Sequence, residues 1–179
     1  MAAPTFTSGE VLTAAEMNKV GLWRVATVTG GSGTSSVDVN NVFSADYRNY
    51  RVIIRGGTIA TGTNIRMRLG ASATAYYSSQ EYISFAAAQV LAGDVNATYW
   101  TVVGRSVPTN GSDATFDLYN PFEAERTRIH AMFVDMSTTG GAQTSLGYHN
   151  AATSYTGFTL FTTSGNWTSD LTITVYGYN

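Results

Sequence analysis

Tyr47-Arg48-Asn49-Tyr50-Arg51-Val52-Ile53-Ile54-Arg55 is the stretch on which the fold turns. Within it Tyr50, Val52 and Ile54 alternate with Arg51, Ile53 and Arg55. A two-residue period sends successive side chains to opposite faces of a strand, one dry and one wet. The same alternation recurs on either side of this stretch. Ile65, Met67 and Leu69 alternate with Asn64, Arg66 and Arg68, and Phe116 and Leu118 with Thr115, Asp117 and Tyr119. Near the end, Leu171, Ile173 and Val175 alternate with Thr172, Thr174 and Tyr176. Leu22 to Val28 reads as a first strand, ended by Gly30-Gly31-Ser32-Gly33.

Turn-rich pieces separate these runs: Gly56-Gly57, Thr61-Gly62-Thr63-Asn64, Asn110-Gly111-Ser112-Asp113 and Gly140-Gly141. Asn-Gly is a strong tight-turn signal. Some eight to ten strands are expected, at the spacing of an all-β sandwich. Half-buried alternation predicts antiparallel sheets with one dry face each. The expected fold is an antiparallel β-sandwich of jelly-roll type. Ser84 to Gly93 reads equally as a helical turn or as a loop crossing the end of the sandwich.

A short helix is expected before the strands. Thr13-Ala14-Ala15-Glu16 has capping-box spacing, Leu12 and Met17 fall at hydrophobic-staple positions, and Gly21 is a C-terminal stop. The helix is placed at 14–20, and two turns are too few to be stable alone. The chain therefore divides into an attachment segment, 1–28, and a sandwich domain, 29–179.

Composition narrows the function. Charged residues are 12% of the 179, about half the ~25% of an ordinary soluble domain, and the net charge is −2. So mild a balance argues against nucleic-acid binding, which needs a concentrated basic face. There are no cysteines, so disulfides, thiolate chemistry and Cys-based zinc sites are excluded. No apolar run approaches the ~20 residues that span a bilayer, so membrane insertion is not expected. Met1-Ala2-Ala3-Pro4-Thr5-Phe6 lacks the form of a secretory signal, so the expected route is synthesis in the cytoplasm and exit by lysis or inside a particle. Nine arginines stand against the single Lys19, a bias suited to contact surfaces.

No residues read as a catalytic or metal site, and no cofactor is implied. His130 and His149 with Asp135 could bind a metal, but their placement in strand-like stretches favours structural roles. Asp117, Glu123, Glu125 and Asp135 are close enough in sequence to suggest a glycosidase pair, yet Glu123 and Glu125 sit in a turn where solvated acids are ordinary. No Gly-x-Ser-x-Gly occurs.

Two surface features carry more weight. If 50–55 and 64–69 are neighbouring strands, Arg51, Arg55, Arg66 and Arg68 form one solvent-side stripe. Such a stripe needs partners within the chain (Asp46, Asp117 or Glu125), a subunit contact or an anionic ligand. Tyr76, Tyr77, Tyr82, Tyr99, Trp100, Tyr148, Tyr155 and Trp167 lie in or beside polar, turn-rich pieces. Tyr and Trp there suit interfaces and stacking on sugar rings. Tyr76, Tyr77, Tyr99, Trp100 and Trp167 are the candidate glycan contacts.

The opening Phe6-Thr-Ser-Gly-Glu10-Val-Leu-Thr-Ala-Ala-Glu16-Met-Asn18 resembles the N-terminal segment of tailed-bacteriophage virion proteins of the tail-fibre and minor structural type. Tyr47 to Arg55, Asn64-Ile-Arg-Met-Arg68-Leu-Gly70 and the closing Gly165-Asn-Trp-Thr-Ser-Asp170-Leu-Thr-Ile-Thr-Val-Tyr176-Gly177 are similar to the β-sandwich that follows it there. The resemblance implies a non-enzymatic, often trimeric jelly-roll subunit on the virion surface, a small fibre or tail appendage or a capsid decoration. Its expected partners are copies of itself, other virion proteins such as capsid or tail subunits, and host surface glycan. Attachment is expected through the first 28 residues, with Phe6, Leu12, Met17 and Trp23 as the apolar contacts. The alternative is a carbohydrate-binding module or glycan-degrading enzyme acting on the host envelope.

Overall fold

The computed structural model describes Gly9 and residues 21–179. The helix expected at 14–20, and Phe6, Leu12 and Met17 with it, lie outside the described residues. Within them the chain is all-β. Its strands are β1 (Trp23–Gly30), β2 (Ser36–Val39), β3 (Asn49–Gly56), β4 (Thr63–Leu69), β5 (Tyr76–Ser84) and β6 (Gln89–Ala97). They continue with β7 (Trp100–Val107), β8 (Gly111–Tyr119), β9 (Arg126–Val134), β10 (Gly141–Ala152), β11 (Phe158–Thr162) and β12 (Leu171–Tyr178). Every pairing between these strands is antiparallel.

The pairing follows two paths. One runs β1-β12-β3-β8-β9-β10-β5-β6 and the other β2-β11-β4-β7. They join only at the β7–β8 hairpin, where Ser106 faces Ser112 and Val107 faces Gly111. Beyond that corner β7 leaves to pair with β4, and it also comes close to β9, β5 and β10, with which it shares no ladder. The corner explains the Asn110-Gly111 signal. Gly111 sits at φ +67, and a Cβ there would stand 2.7 Å from the carbonyl oxygen of Gly56. Only glycine fits both the left-handed backbone and that contact.

The alternating residues close one core from both paths. Tyr50, Val52, Ile54, Ile65, Met67, Leu69, Phe116, Leu118, Leu171, Ile173 and Val175 are all fully buried. Fully burying an aliphatic or aromatic side chain of this size stabilises by about 1.5–3 kcal/mol. Aromatic rings fill the spaces between: Phe43 lies 4.7 Å from Tyr50 and 5.7 Å from Phe158, and Trp100 meets Tyr76 edge-on at 5.1 Å.

Two expectations fail. Ser84 to Gly93 is neither a helical turn nor a crossing loop but a hairpin that leads into β6. Ser84 N–H donates to the Ala88 carbonyl at 2.9 Å and Ala87 N–H to the Ser84 carbonyl at 2.8 Å. Three alanines favour helix locally, but turning back gives the peptide groups on the outer side of β5 a partner strand, and that outweighs propensity. Second, β3 and β4 are not neighbours. β3 lies between β12 and β8, and β4 between β11 and β7.

Candidate interaction surfaces

Apart from shifts at Arg24/Ala26, His149/Ala152 and Tyr76/Ser78, register carries across the eight-strand path, so side chains form rows over its outer face. One row runs Arg24, Tyr176, Arg51, Asp117, His130, Leu146, Ser79 and Gly93. The next runs Thr27, Thr174, Ile53, Thr115, Met132, Thr144, Glu81 and Leu91. A third runs Tyr178, Asn49, Tyr119, Arg128, Tyr148 and Tyr77. From β1 to β8 these rows are mainly threonine, tyrosine and paired charge. From β9 to β6 exposed or half-exposed apolar side chains (Met132, Val134, Leu146, Tyr148, Ile83, Leu91 and Val95) enter this face, interspersed with His130, Thr144, Ser79 and Glu81. A shallow groove of about 580 Å³ marks the change, lined by Arg51, Asp113, Thr115, Asp117, His130, Met132 and Thr144 among others.

Within the groove Arg51 and Asp117 are engaged with one another. Arg51 donates Nε and Nη2 to the two carboxylate oxygens of Asp117 at 2.9 and 2.8 Å, and Tyr178 Oη donates to the same carboxylate at 3.4 Å. Burial, then the Asp117 charge, push the Tyr178 phenol up, so it remains a donor. The other acids are held elsewhere. Asp135 faces Arg105 Nε at 2.9 Å and accepts from Ser137 N–H at 3.0 Å, while Glu125 meets Arg48 at 3.7 Å. Of the four acids the sequence suggested, Asp117 alone lines the groove, where the second carboxylate is Asp113, four residues along the same strand.

His130 is on the outer face, and His149 is buried on the other side of the sheet. His149 Nε2 lies 2.8 Å from Ser72 Oγ and 3.1 Å from the Thr74 carbonyl, and Nδ1 lies 3.4 Å from Tyr155 Oη. A carbonyl can only accept, so Nε2 carries a proton. Burial pushes its pKa down. Among the described residues no group of three or more His, Asp or Glu is placed to hold a metal ion.

The arginine stripe is two separate pairs. Arg51 is satisfied by Asp117, while Arg55 lies on the same strand opposite Asp113 and Thr172. Arg66 and Arg68 are on the four-strand path, with Arg66 4.6 Å over the Tyr99 ring and Arg68 5.4 Å over the Phe161 ring. Cation–π contact therefore holds them in place of a carboxylate.

The glycan candidates also divide. Tyr76, Trp100 and Trp167 are buried in the core and cannot meet a ligand. Tyr76 lies within a buried hydrogen-bonded pocket, accepting from Leu69 N–H at 2.8 Å, and desolvation pushes its pKa up to about 12. Turn-rich neighbours mislead here because Tyr76 and Trp100 open β5 and β7, and Trp167 lies between β11 and β12 bridged to Ser32 and Ile59, and all three turn inward onto the core. Tyr77 and Tyr99 are at the surface, Tyr77 stacked on Tyr148 at 4.9 Å and 3° and Tyr99 edge-on to Phe161 at 5.2 Å. Trp23 opens β1, opposite Gly177.

Sequence reading missed the apolar half of the outer face. A signal was present: Ile83, Phe85, Val90, Leu91 and Val95 crowd thirteen residues, and Gln89, Leu91, Gly93 and Val95 alternate with Val90, Ala92 and Asp94. The alanine run hid it. Comparison with protein-family models, curated proteins and solved structures finds no match.

Proposed function

We propose that this chain is a non-enzymatic structural subunit of a virion surface, a small tail appendage or capsid decoration that self-associates. It holds to the particle through residues 1–28 and projects a two-layered β-sandwich, the four-strand path packed on the eight-strand path. The observation that carries the reading is the group of exposed large apolar side chains on the outer face of β9, β10, β5 and β6, Met132, Leu146, Ile83, Leu91 and Val95 among them. Single exposed apolar residues are ordinary, but several on one rigid sheet face are suited to contact with other subunits. The pairing of Asp117, Asp135 and Glu125 with arginines supports a structural use of those acids. The test is quantitative peptide mass spectrometry of purified particles. The chain should be present in stoichiometric copy number, and deleting residues 1–20 should abolish incorporation; its absence from particles would refute the reading.

A second reading rests on the Tyr77–Tyr148 stack, with Arg126 5.9 Å over Tyr148. A flat aromatic platform beside a cation suits a sugar ring, and it would make the same face a host-glycan contact. Glycan-array binding lost in Tyr77→Ala/Tyr148→Ala supports it, and unchanged adsorption to host cells removes it.

A further inference from the structure

The edge of β6 is free: among the described residues it pairs only with β5. At the start of the hairpin Ser84 N–H donates to the Ala88 carbonyl, so Ala88 turns its carbonyl toward β5. Antiparallel ladders alternate bonded and non-bonded pairs. The even-numbered residues of β6 therefore turn their peptide groups to β5. Gln89, Leu91, Gly93 and Val95 turn theirs outward, where only another strand could complete the ladder.

Natural sheet edges are blunted by brevity, by lysine or proline, or by bulges. The β2 edge is four residues long, and β1 carries Arg24 and a register shift between Arg24 and Ala26. β6 is nine residues long and contains no lysine, arginine or proline; its one register shift falls at its far end, between the Ser78–Asp94 and Tyr76–Ala97 pairs, where Asn96 takes φ 54, and leaves Gln89 to Asp94 regular. Its single charge, Asp94, is spent inward, accepting from Ser78 Oγ at 2.9 Å, Gln80 Nε2 at 3.0 Å and Thr101 Oγ1 at 2.5 Å. The side chains beside the edge are apolar and open, with Val95 82%, Leu91 71%, Phe85 68% and Val90 56% exposed.

We infer that β6 pairs antiparallel with β6 of a second copy about a two-fold axis at Gly93, setting Leu91 opposite the partner's Val95 and Val95 opposite the partner's Leu91. The inference rests on reading this chain as a self-associating subunit. The register follows from the residues. Outward-bonding positions must face one another, so the strands can slide only in steps of two. Sliding the axis by one residue sets Leu91 against Gly93 and Val95 against Gln89, and both apolar pairs are lost. A two-fold contact builds assemblies of even copy number, where the family resemblance implies three.

The test uses the purified full-length chain. Light scattering should show a dimer or larger even assembly, and Leu91→Lys/Val95→Lys should be monomeric with an unchanged thermal melt. The chain lacks cysteine, so register is read by a short bis-maleimide: Leu91→Cys mixed with Val95→Cys should cross-link, and neither alone should. A monomeric parent, including one whose edge is covered by its own residues 1–20, overturns the inference. So does an assembly that survives the two lysines, or a Leu91→Cys chain that cross-links to itself. The lysine variant incorporated into particles at normal copy number overturns the contact but leaves the structural-subunit reading standing. A dimer that is absent from particles does the reverse.

Discussion

The two halves of the outer face lie on one continuous sheet above one core, yet they end differently. In the β1–β8 half the rows close on themselves: Arg51 on Asp117, Asp117 on Tyr178, threonine beside threonine across β1 and β12. In the β9–β6 half they end on Leu146, Met132, Leu91 and Val95, exposed to solvent. Polar side chains can satisfy one another across a ladder, so that half is complete in a single copy. Apolar side chains gain only by losing water, so under the proposed role this half is the side that another subunit would cover. The difference teaches that one continuous sheet can satisfy its own side chains at one end and leave apolar groups open at the other.

The sharpest test of the inside–outside division uses adjacent residues of β5. Tyr76→Ala should destabilise by about 3–5 kcal/mol, as for a large aromatic removed from a packed core, while Tyr77→Ala should cost about 1 kcal/mol or less. Urea unfolding of the pair measures both, and similar values would erase the division. Next comes the corner that joins the two strand paths. Gly111→Ala places a methyl group against the Gly56 carbonyl at positive φ, and a loss of about 2 kcal/mol is expected. The self-contained half is tested by Asp117→Ala, which strands a guanidinium that is 43% exposed. Partial solvation limits that loss to about 1 kcal/mol. Leu146→Thr in the open half should change monomer stability by no more than about 0.5 kcal/mol while lowering binding of an apolar dye.

The gentlest lever is pH. The folded state keeps His149 neutral because burial lowers its pKa below the ordinary 6.5. Unfolded chains therefore take up more protons as pH falls, and stability is full above pH 6.5 and declines below it. His149→Gln should flatten that slope in thermal melts recorded between neutral and mildly acid pH.

Much of the core was legible because alternation is a local signal: every inward residue named from β3, β4, β8 and β12 is buried. The candidate sites were less legible. Arg51 and Arg66 occupy equivalent places in equivalent local patterns, yet one lies opposite a carboxylate and the other over a tyrosine ring. Tyr76 and Tyr77 differ only in parity, and nothing near them in sequence announces which is dry. The β6 stretch carried a strand pattern under an alanine run whose helix propensity competes with it locally.

By itself the sequence determined that the chain is β-rich, where five of its twelve strands run and which side of β3, β4, β8 and β12 is dry, since those properties need only the two-residue period and the turn residues between runs. The tertiary structure alone decided which strands are neighbours, and with that which charges are neutralised and which edge is left open. Pairing is settled by residues far apart in the chain: β3 finds β8 and β12, not β4, because the corner at Gly111 sends β7 to another path. No local pattern encodes where a distant strand will lie.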